Sequence, residues 1–296
     1  MKSIYPGLFS SETWSAIIED SYRATVTQVE IDGHALLPVV IFRKGPFKLA
    51  YPHFPGNVES PDLDRIISAA AAADLDYHVM RCLTREVPAD NSVFTVVAEL
   101  PETIVQDLQE FDPNDDQKLR RAIRRANRYD TRISSDVTSV KAEALFELYR
   151  DTISARRGSL RYNNEYFKAL LESAATSKDL SILVAYTDDT LSGFLVIAMD
   201  NGEAHYLHSA YHRDYRTHGI TDLLVQQGLA HARENGALSF NFGVSPIDQP
   251  ELTRFKEKWG GTTSSQYTLD YSRNIFWGTL FRIASKVLAQ LGSWRN

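Results

Sequence analysis

One cysteine, Cys82, stands in 296 residues, so an intramolecular disulfide framework and a multi-thiolate metal site are both excluded. No run of about 18 uncharged apolar residues occurs, and the opening MKSIYPGLFSSE has no apolar stretch behind its lysine. The expectation is a chain that neither spans a membrane nor leaves by the usual secretory route. The Walker A, G-x-G-x-x-G, G-x-S-x-G and H-E-x-x-H patterns are missing as well, which removes several common phosphate-binding, hydrolase and zinc-protease readings. A reducing cytoplasm fits these absences. What is present is a globular composition, 43% hydrophobic and 24% charged, with length for two compact units at about 100–200 residues each.

Charge is uneven along the chain. Residues 118–132 hold Lys118, Arg120, Arg121, Arg124, Arg125, Arg128 and Arg132 against the single acid Asp130, in a protein whose net charge is −6. Residues 272–296 carry Arg273, Arg282, Lys286 and Arg295 and no acid.

Periodicity predicts strands at 25–31, 36–43, 47–51, 77–81 and 93–99, a helix at 61–73 capped by Ser60, and a short helix after Pro101 reaching Phe111. Asp112-Pro113-Asn114-Asp115 reads as the start of the basic helix. Further on come a strand at 131–136, helices at 141–152 and 164–175, and strands at 181–186, 191–199 and 203–210. A helix at 219–234, a strand at 238–242, a helix at 251–259 and a strand at 266–271 complete the pattern. The first half repeats the three-strands, helix, strand, strand portion of the second without an opening strand and helix. Element order therefore suggests two copies of one unit joined by the basic helix.

His205, His208 and His212 are the clustered histidines. Strict strand alternation puts 205 and 208 on opposite faces, so they read as structural rather than as metal ligands, and no metal is expected. Cys82 sits beside Arg81 and Arg85 with no paired base and reads as a plain buried thiol.

The junction from Tyr211 to Thr221 is more specific. A strand ends, a loop with arginine and glycine follows, and a helix begins, which makes an anion site of backbone N–H groups. Arg216-x-x-Gly219-x-Thr221 resembles the [QR]-x-x-G-x-[GA] loop with which GNAT acyltransferases hold the acyl-CoA pyrophosphate, Thr221 standing where that family has Gly or Ala. The element order of residues 131–271 is similar to theirs. Lys118-x-Arg-Arg-Ala-Ile-Arg-Arg-Ala126, Asn241-Phe-Gly243 and Phe255-Lys256-x-Lys-Trp-Gly260-Gly261 together resemble the FemAB-like branch of that superfamily. That branch has two tandem GNAT-like domains. It includes transferases that move an amino acid from aminoacyl-tRNA to a peptidoglycan precursor, and relatives thought to use acyl-CoA.

The lysine motif also carries a reading of its own. Leu252, Phe255 and Trp259 form an i, i+3, i+7 stripe, and Lys256 lies on the same side. A lysine there needs an anionic partner or a route to water. The expectation is a phosphate, a carboxylate or a developing oxyanion, and in the resembling family the matching lysine is functional.

On the basic helix, Leu119, Ala122, Ile123 and Ala126 form one face and the arginines cover the rest, with like charges four apart. A solvated or internally paired face is the commoner fate of such a run; the alternative is a surface for phosphate. Residues 275–294 pattern as a basic amphipathic helix. Packing on protein is its commoner fate, and an anionic membrane surface is the alternative.

The resulting expectation is an α/β (α+β) protein of two tandem GNAT-like domains, each a mixed, mostly antiparallel sheet flanked by helices. The domains are 1–111, read as truncated, and 131–271, with a basic connecting helix at 112–130 and an amphipathic C-terminal helix at 272–296. Acyl-CoA would lie along Leu207, Ser209 and Ala210 and the loop Arg216, Gly219, Ile220 and Thr221, with Lys256 at the carbonyl. An amine or hydroxyl of a cell-envelope or small-molecule acceptor would sit between the domains near Tyr51, His53, Arg124 and Phe255. Tyr206, His208 and Asp248 are the reachable bases. Two alternatives stay open: a Fem-type transfer from aminoacyl-tRNA, which is the one nucleic-acid partner considered, and a non-catalytic membrane-associated module. The location implied is cytoplasmic, with a peripheral place on the inner membrane face as a variant.

Overall fold

The computed structural model describes residues 2–290 apart from Asn91, residues 114–115 and residues 156–159. It divides into two compact units, Met1–Leu100 with Ser264–Asn296, and Pro101–Thr263.

The first unit opens with strand β1 (Lys2–Ser3) and helix α1 (Glu12–Tyr22). The Ser11 side chain caps α1 by accepting from the Trp14 N–H at 3.1 Å, and Trp14, Ile17 and Ile18 are buried at i, i+3 and i+4. These two elements are the opening pair that the sequence pattern lacked. A two-residue strand has no alternation to read, and the α1 apolar triplet is diluted by polar neighbours. β2 (Thr25–Ile31), β3 (Ala35–Lys44) and β4 (Phe47–Pro52) follow. β2 pairs antiparallel along one edge of β3, while β1, in parallel, and β4, in antiparallel sense, share the other. A 3-10 turn takes Ser60–Asp62, so helix α2 runs Leu63–Ala72 and begins two residues later than Pro61 suggests. β5 (Val79–Thr84) then pairs parallel with β4.

β6 (Phe94–Val105) continues straight through Pro101, where the sequence had suggested a strand end and a short helix. The β-branched run Thr103-Ile104-Val105 keeps the chain extended, and the Pro101 carbonyl accepts from the Ser245 N–H at 2.8 Å.

In the second unit, helix α3 (Gln117–Ala126) starts later than expected, with the Asp116 carboxylate accepting from the Leu119 N–H at 2.7 Å. Asn114 and Asp115, expected in its first turn, lie outside the described residues. β7 (Thr131–Ser134), α4 (Ala142–Ala155), α5 (Asn164–Ala174), β8 (Leu180–Thr187), β9 (Thr190–Asp200) and β10 (Glu203–Tyr211) come next. After them α6 (Ile220–Glu234), β11 (Ser239–Val244) and α7 (Pro250–Glu257) complete the unit. The sheet order is β7-β8-β9-β10-β11-β6, antiparallel except where β10 meets β11. Leu195, Ile197, Phe240 and Trp259 pack with α3 and α6 on one face. Phe167 of α5 meets Phe194 at 5.8 Å on the other.

β12 (Thr262–Tyr271) and α8 (Ile275–Gln290) end the described chain. The compact units depart from the sequence-based boundaries at both ends of the second copy. α3 is part of a unit, because Leu119 and Ala126 are fully buried in its core. β12 pairs with β5, Tyr267 opposite Thr84 through Tyr271 opposite Met80, and the α8 residues Trp277 and Phe281 pack on Phe47, Leu49 and Val79.

Candidate active site

The site begins where two strands separate. β10 and β11 are paired in parallel over three positions, Glu203–Ser239 to His205–Asn241, and beyond them β11 supplies no partner to residues 206–211. A bulge at Leu207 accompanies the separation: Tyr206 is opposite Ile197 and His208 is opposite Val196 on β9. The bulge also overturns the alternation expected for the histidines. His205 faces Ala198 and His208 faces Val196, two residues apart on β9, so both point to the same side of the sheet. They still do not act as a pair. His205 Nε2 lies 3.4 Å from the Glu203 carboxylate, whereas His208 Nε2 and the Tyr166 hydroxyl are 2.7 Å apart. Desolvation, with Arg161 as a smaller cause, lowers the His208 pKa to about 3, so this imidazole is neutral and a weak base. His212 caps the 3-10 turn Arg213–His218 through its Nδ1. Among the described residues no group of three His, Cys, Asp or Glu could hold a metal.

Lys256, on α7, is 4% exposed. Its Nζ donates to the Gly243 carbonyl at 2.7 Å and to the Val244 carbonyl at 2.8 Å, just past the separation on β11. These two bonds use two of the three ammonium donors. Burial lowers its pKa from 10.5 to about 7, and the charge of Glu102 acts the other way. The carbonyls are held in turn by Asn241. Its Oδ1 accepts from the Gly243 N–H at 2.6 Å, fixing Gly243 at φ 69°, and its Nδ2 donates to Glu102 at 2.7 Å and to Glu203 at 2.9 Å. Glu102 is 1% exposed. Sequence reading could not find it, because Pro101 disguised the strand that carries it.

The glycine loop lies beside this amine. Lys258 Nζ bonds the Asp222 carboxylate at 2.5 Å, tying the end of α7 to the first turn of α6, and sits 5.0 Å over the half-buried Phe255 ring. Gly219 has φ 71° and a Cβ there would lie 2.8 Å from the Ala126 Cβ. Glycine is therefore required by the left-handed turn and by the close approach of α3. Ile220 and Ala210 are buried, Thr221, Leu207 and Ser209 half-buried, and Arg216 exposed. Ser209 bonds the Tyr206 hydroxyl. Arg124 is exposed on α3, whose Lys118, Arg120, Arg121 and Arg125 are exposed too, as is Arg128 just beyond it. The structure therefore brings Lys256, Phe255, the β10 segment and the Arg216–Thr221 loop into one neighbourhood, with α3 alongside. Asp222, Lys258 and Asn241 complete it. Asp248 is exposed.

Tyr51 and His53 belong to the other unit. Tyr51, on β4, packs edge-on against Phe42 at 5.4 Å. His53 is 2% exposed, with Nδ1 3.2 Å from the Ser10 hydroxyl and its ring against Tyr5; it is a core side chain there. Cys82 is a buried thiol whose pKa burial raises.

Residues 114–257 match the family model described as an acetyltransferase (GNAT) domain. Among solved structures, FemX has 14% identity over 95% of both chains with a TM-score of 0.69. The C-terminal domain of a putative lysylphosphatidylglycerol synthetase from Agrobacterium fabrum has 17% identity over 95% of both chains with a TM-score of 0.61. A tandem GNAT protein from the clavulanic acid biosynthesis pathway has 13% identity, covers 85% of this chain and 84% of its own, and has a TM-score of 0.52. At these identities the likeness is one of fold, a tandem mixed α/β arrangement. No curated protein matches in sequence.

Proposed function

We propose that this chain, whose residues 114–257 match a GNAT acetyltransferase domain model and whose fold is similar to that of FemX, transfers an acyl group from acyl-CoA to an amine or hydroxyl acceptor. The observation that carries the proposal is Lys256: a buried side chain whose ammonium form has one donor to spare, at the point where β10 and β11 part. An extended thioester arm pairs with the backbone edge of residues 206–211, and its pyrophosphate meets the first amides of α6 and Arg216. The acceptor nitrogen or oxygen bonds to the carbonyl carbon, and the oxyanion takes the remaining Lys256 N–H. Collapse breaks the C–S bond, and the acceptor proton ends on the departing thiol. Removing a donor of this kind lowers kcat by about 100- to 1,000-fold. Positioning along the strand edge supplies a further part of the rate.

One observation favours a second reading. Among the described residues no salt bridge joins an acid to Lys118, Arg120, Arg121, Arg124 or Arg125, so α3 carries five exposed cations along about 15 Å, longer than a diphosphate. Aminoacyl-tRNA as the donor of a Fem-type transfer matches that length. The test is thermal stabilisation and thiol release with acetyl-CoA and longer acyl-CoAs, against stabilisation by charged tRNA, repeated on Lys256→Ala and Arg216→Ala. Thioester stabilisation lost in Arg216→Ala, with turnover lost in Lys256→Ala, supports the first donor. Stabilisation by charged tRNA alone moves the assignment to the second, and response to none of them leaves a non-catalytic binding module.

A further inference from the structure

We propose that the outward face of α8 seats the protein on an anionic lipid surface, a reading independent of the acyl-transfer chemistry. α8 has two apolar faces and buries one. Trp277, Phe281 and Ala284 turn toward Phe47, Leu49 and Val79, while Ile275, Phe276, Leu280, Ile283 and Val287 are left exposed, Ile275 by 83% and Phe276 by 64%. At about 100° per residue, Phe276, Leu280, Ile283 and Val287 form one stripe of about 60°. Arg282 and Lys286 lie on its flank, away from the buried face.

The charge selects the occupant. Within Ile275–Gln290 the charged residues are Arg282 and Lys286, with no acid, in a chain whose net charge is −6, so cations lie where the apolar side chains are left uncovered. Arg282 is steadied by donating to the Thr95 hydroxyl at 2.9 Å. Exposed Val93 lies with the helix residues Ile275, Phe281 and Arg282 around a cavity of about 180 Å³, whose wall also holds Asp270, paired with Arg81 at 2.7 Å. No helix among the described residues is long and apolar enough to cross a membrane; this one has the character of a helix that lies in the interface, apolar stripe inward and cations at headgroup level. A second copy of the chain is the weaker occupant. One helix face this long presents on the order of 250 Å², well short of the roughly 800 Å² per partner of a stable interface.

The experiment is co-sedimentation of the full chain with phosphatidylglycerol vesicles and with phosphatidylcholine vesicles, at low and high salt, with light scattering on the free protein. Expected are binding to the anionic vesicles that salt weakens, a loss of roughly tenfold or more in Phe276→Asp combined with Ile283→Asp, and a loss of about fivefold or more in Lys286→Glu. All three positions are exposed, so the circular dichroism of the variants matches wild type. No binding to the anionic vesicles, equal binding to the neutral ones, or binding that survives the double substitution overturns the proposal. So does a concentration-dependent dimer that the double substitution dissolves, which gives the face to a second copy.

Discussion

Replacing Lys256 with methionine keeps the length of the side chain and removes its charge, and the consequence for stability is set by proton linkage. In the folded protein burial brings the amine to about 7, against 10.5 for the ordinary lysine. Between those two values the unfolded chain holds a proton that the folded chain has released. Wild-type stability therefore rises with pH through that window, and below about pH 7 the full penalty of a buried ammonium is present. At about 1.36 kcal/mol per unit, the rise attributable to Lys256 is on the order of 5 kcal/mol. Lys256→Met loses this contribution and leaves the Gly243 and Val244 carbonyls without their donor, at about 1–3 kcal/mol each. Near pH 6 the two effects offset, so the variant is close to wild type; near pH 9 it is less stable by several kcal/mol. Urea unfolding of both proteins at three pH values measures the difference, from which the other titrating groups cancel. Parallel curves, with a wild-type minus variant gap that does not widen from pH 6 to 9, would refute the account of Lys256 as a desolvated amine.

Acyl transfer that uses the ammonium form falls as pH rises above about 7, following the group that burial has lowered; a rate that instead climbs through that range, measured as thiol release, identifies Lys256 as a base. Gly219→Ala meets both the left-handed backbone and the Ala126 contact, and denaturant unfolding reads a loss of about 1–3 kcal/mol; a neutral result means that α3 moves freely off α6. Asn241→Ala leaves buried Glu102 without its amide donor, lowering stability by about 1–3 kcal/mol in the same assay, and moves the pH midpoint of activity because Gly243 is no longer held. A midpoint that stays in place separates Asn241 from Lys256.

The helices with strong caps and the strands with clear turns were legible in the sequence. Asn163 caps α5, its Oδ1 accepting from the Tyr166 N–H at 2.9 Å, and the turn pair Asn201-Gly202, both at positive φ, joins β9 to β10. Elements whose signal is weak or contradictory were not. α1 hides its buried triplet among polar residues, and β6 is crossed by a proline that local rules treat as a boundary. The side of the sheet to which His208 points depends on one extra residue, the bulge at Leu207, which has no signature in composition or spacing.

At the site the same division holds. That Lys256 shares a helix side with Leu252 and Phe255 follows from 3.6-residue periodicity, and so does the need to satisfy a buried ammonium. Which groups satisfy it does not follow. The carbonyls of Gly243 and Val244 come from a strand end shaped by Asn241, and the carboxylate whose field acts on the amine comes from Glu102, far away along the chain. Amphipathic periodicity likewise predicted the C-terminal helix and its basic charge, whereas the choice of which apolar face is buried belongs to the partners that β4 and β5 present. Periodicity and capping are local properties of a chain, carried by residues within a turn or two of one another. Desolvation, long-range pairing and the covering of a face depend on what arrives from elsewhere, and only the folded arrangement decides them.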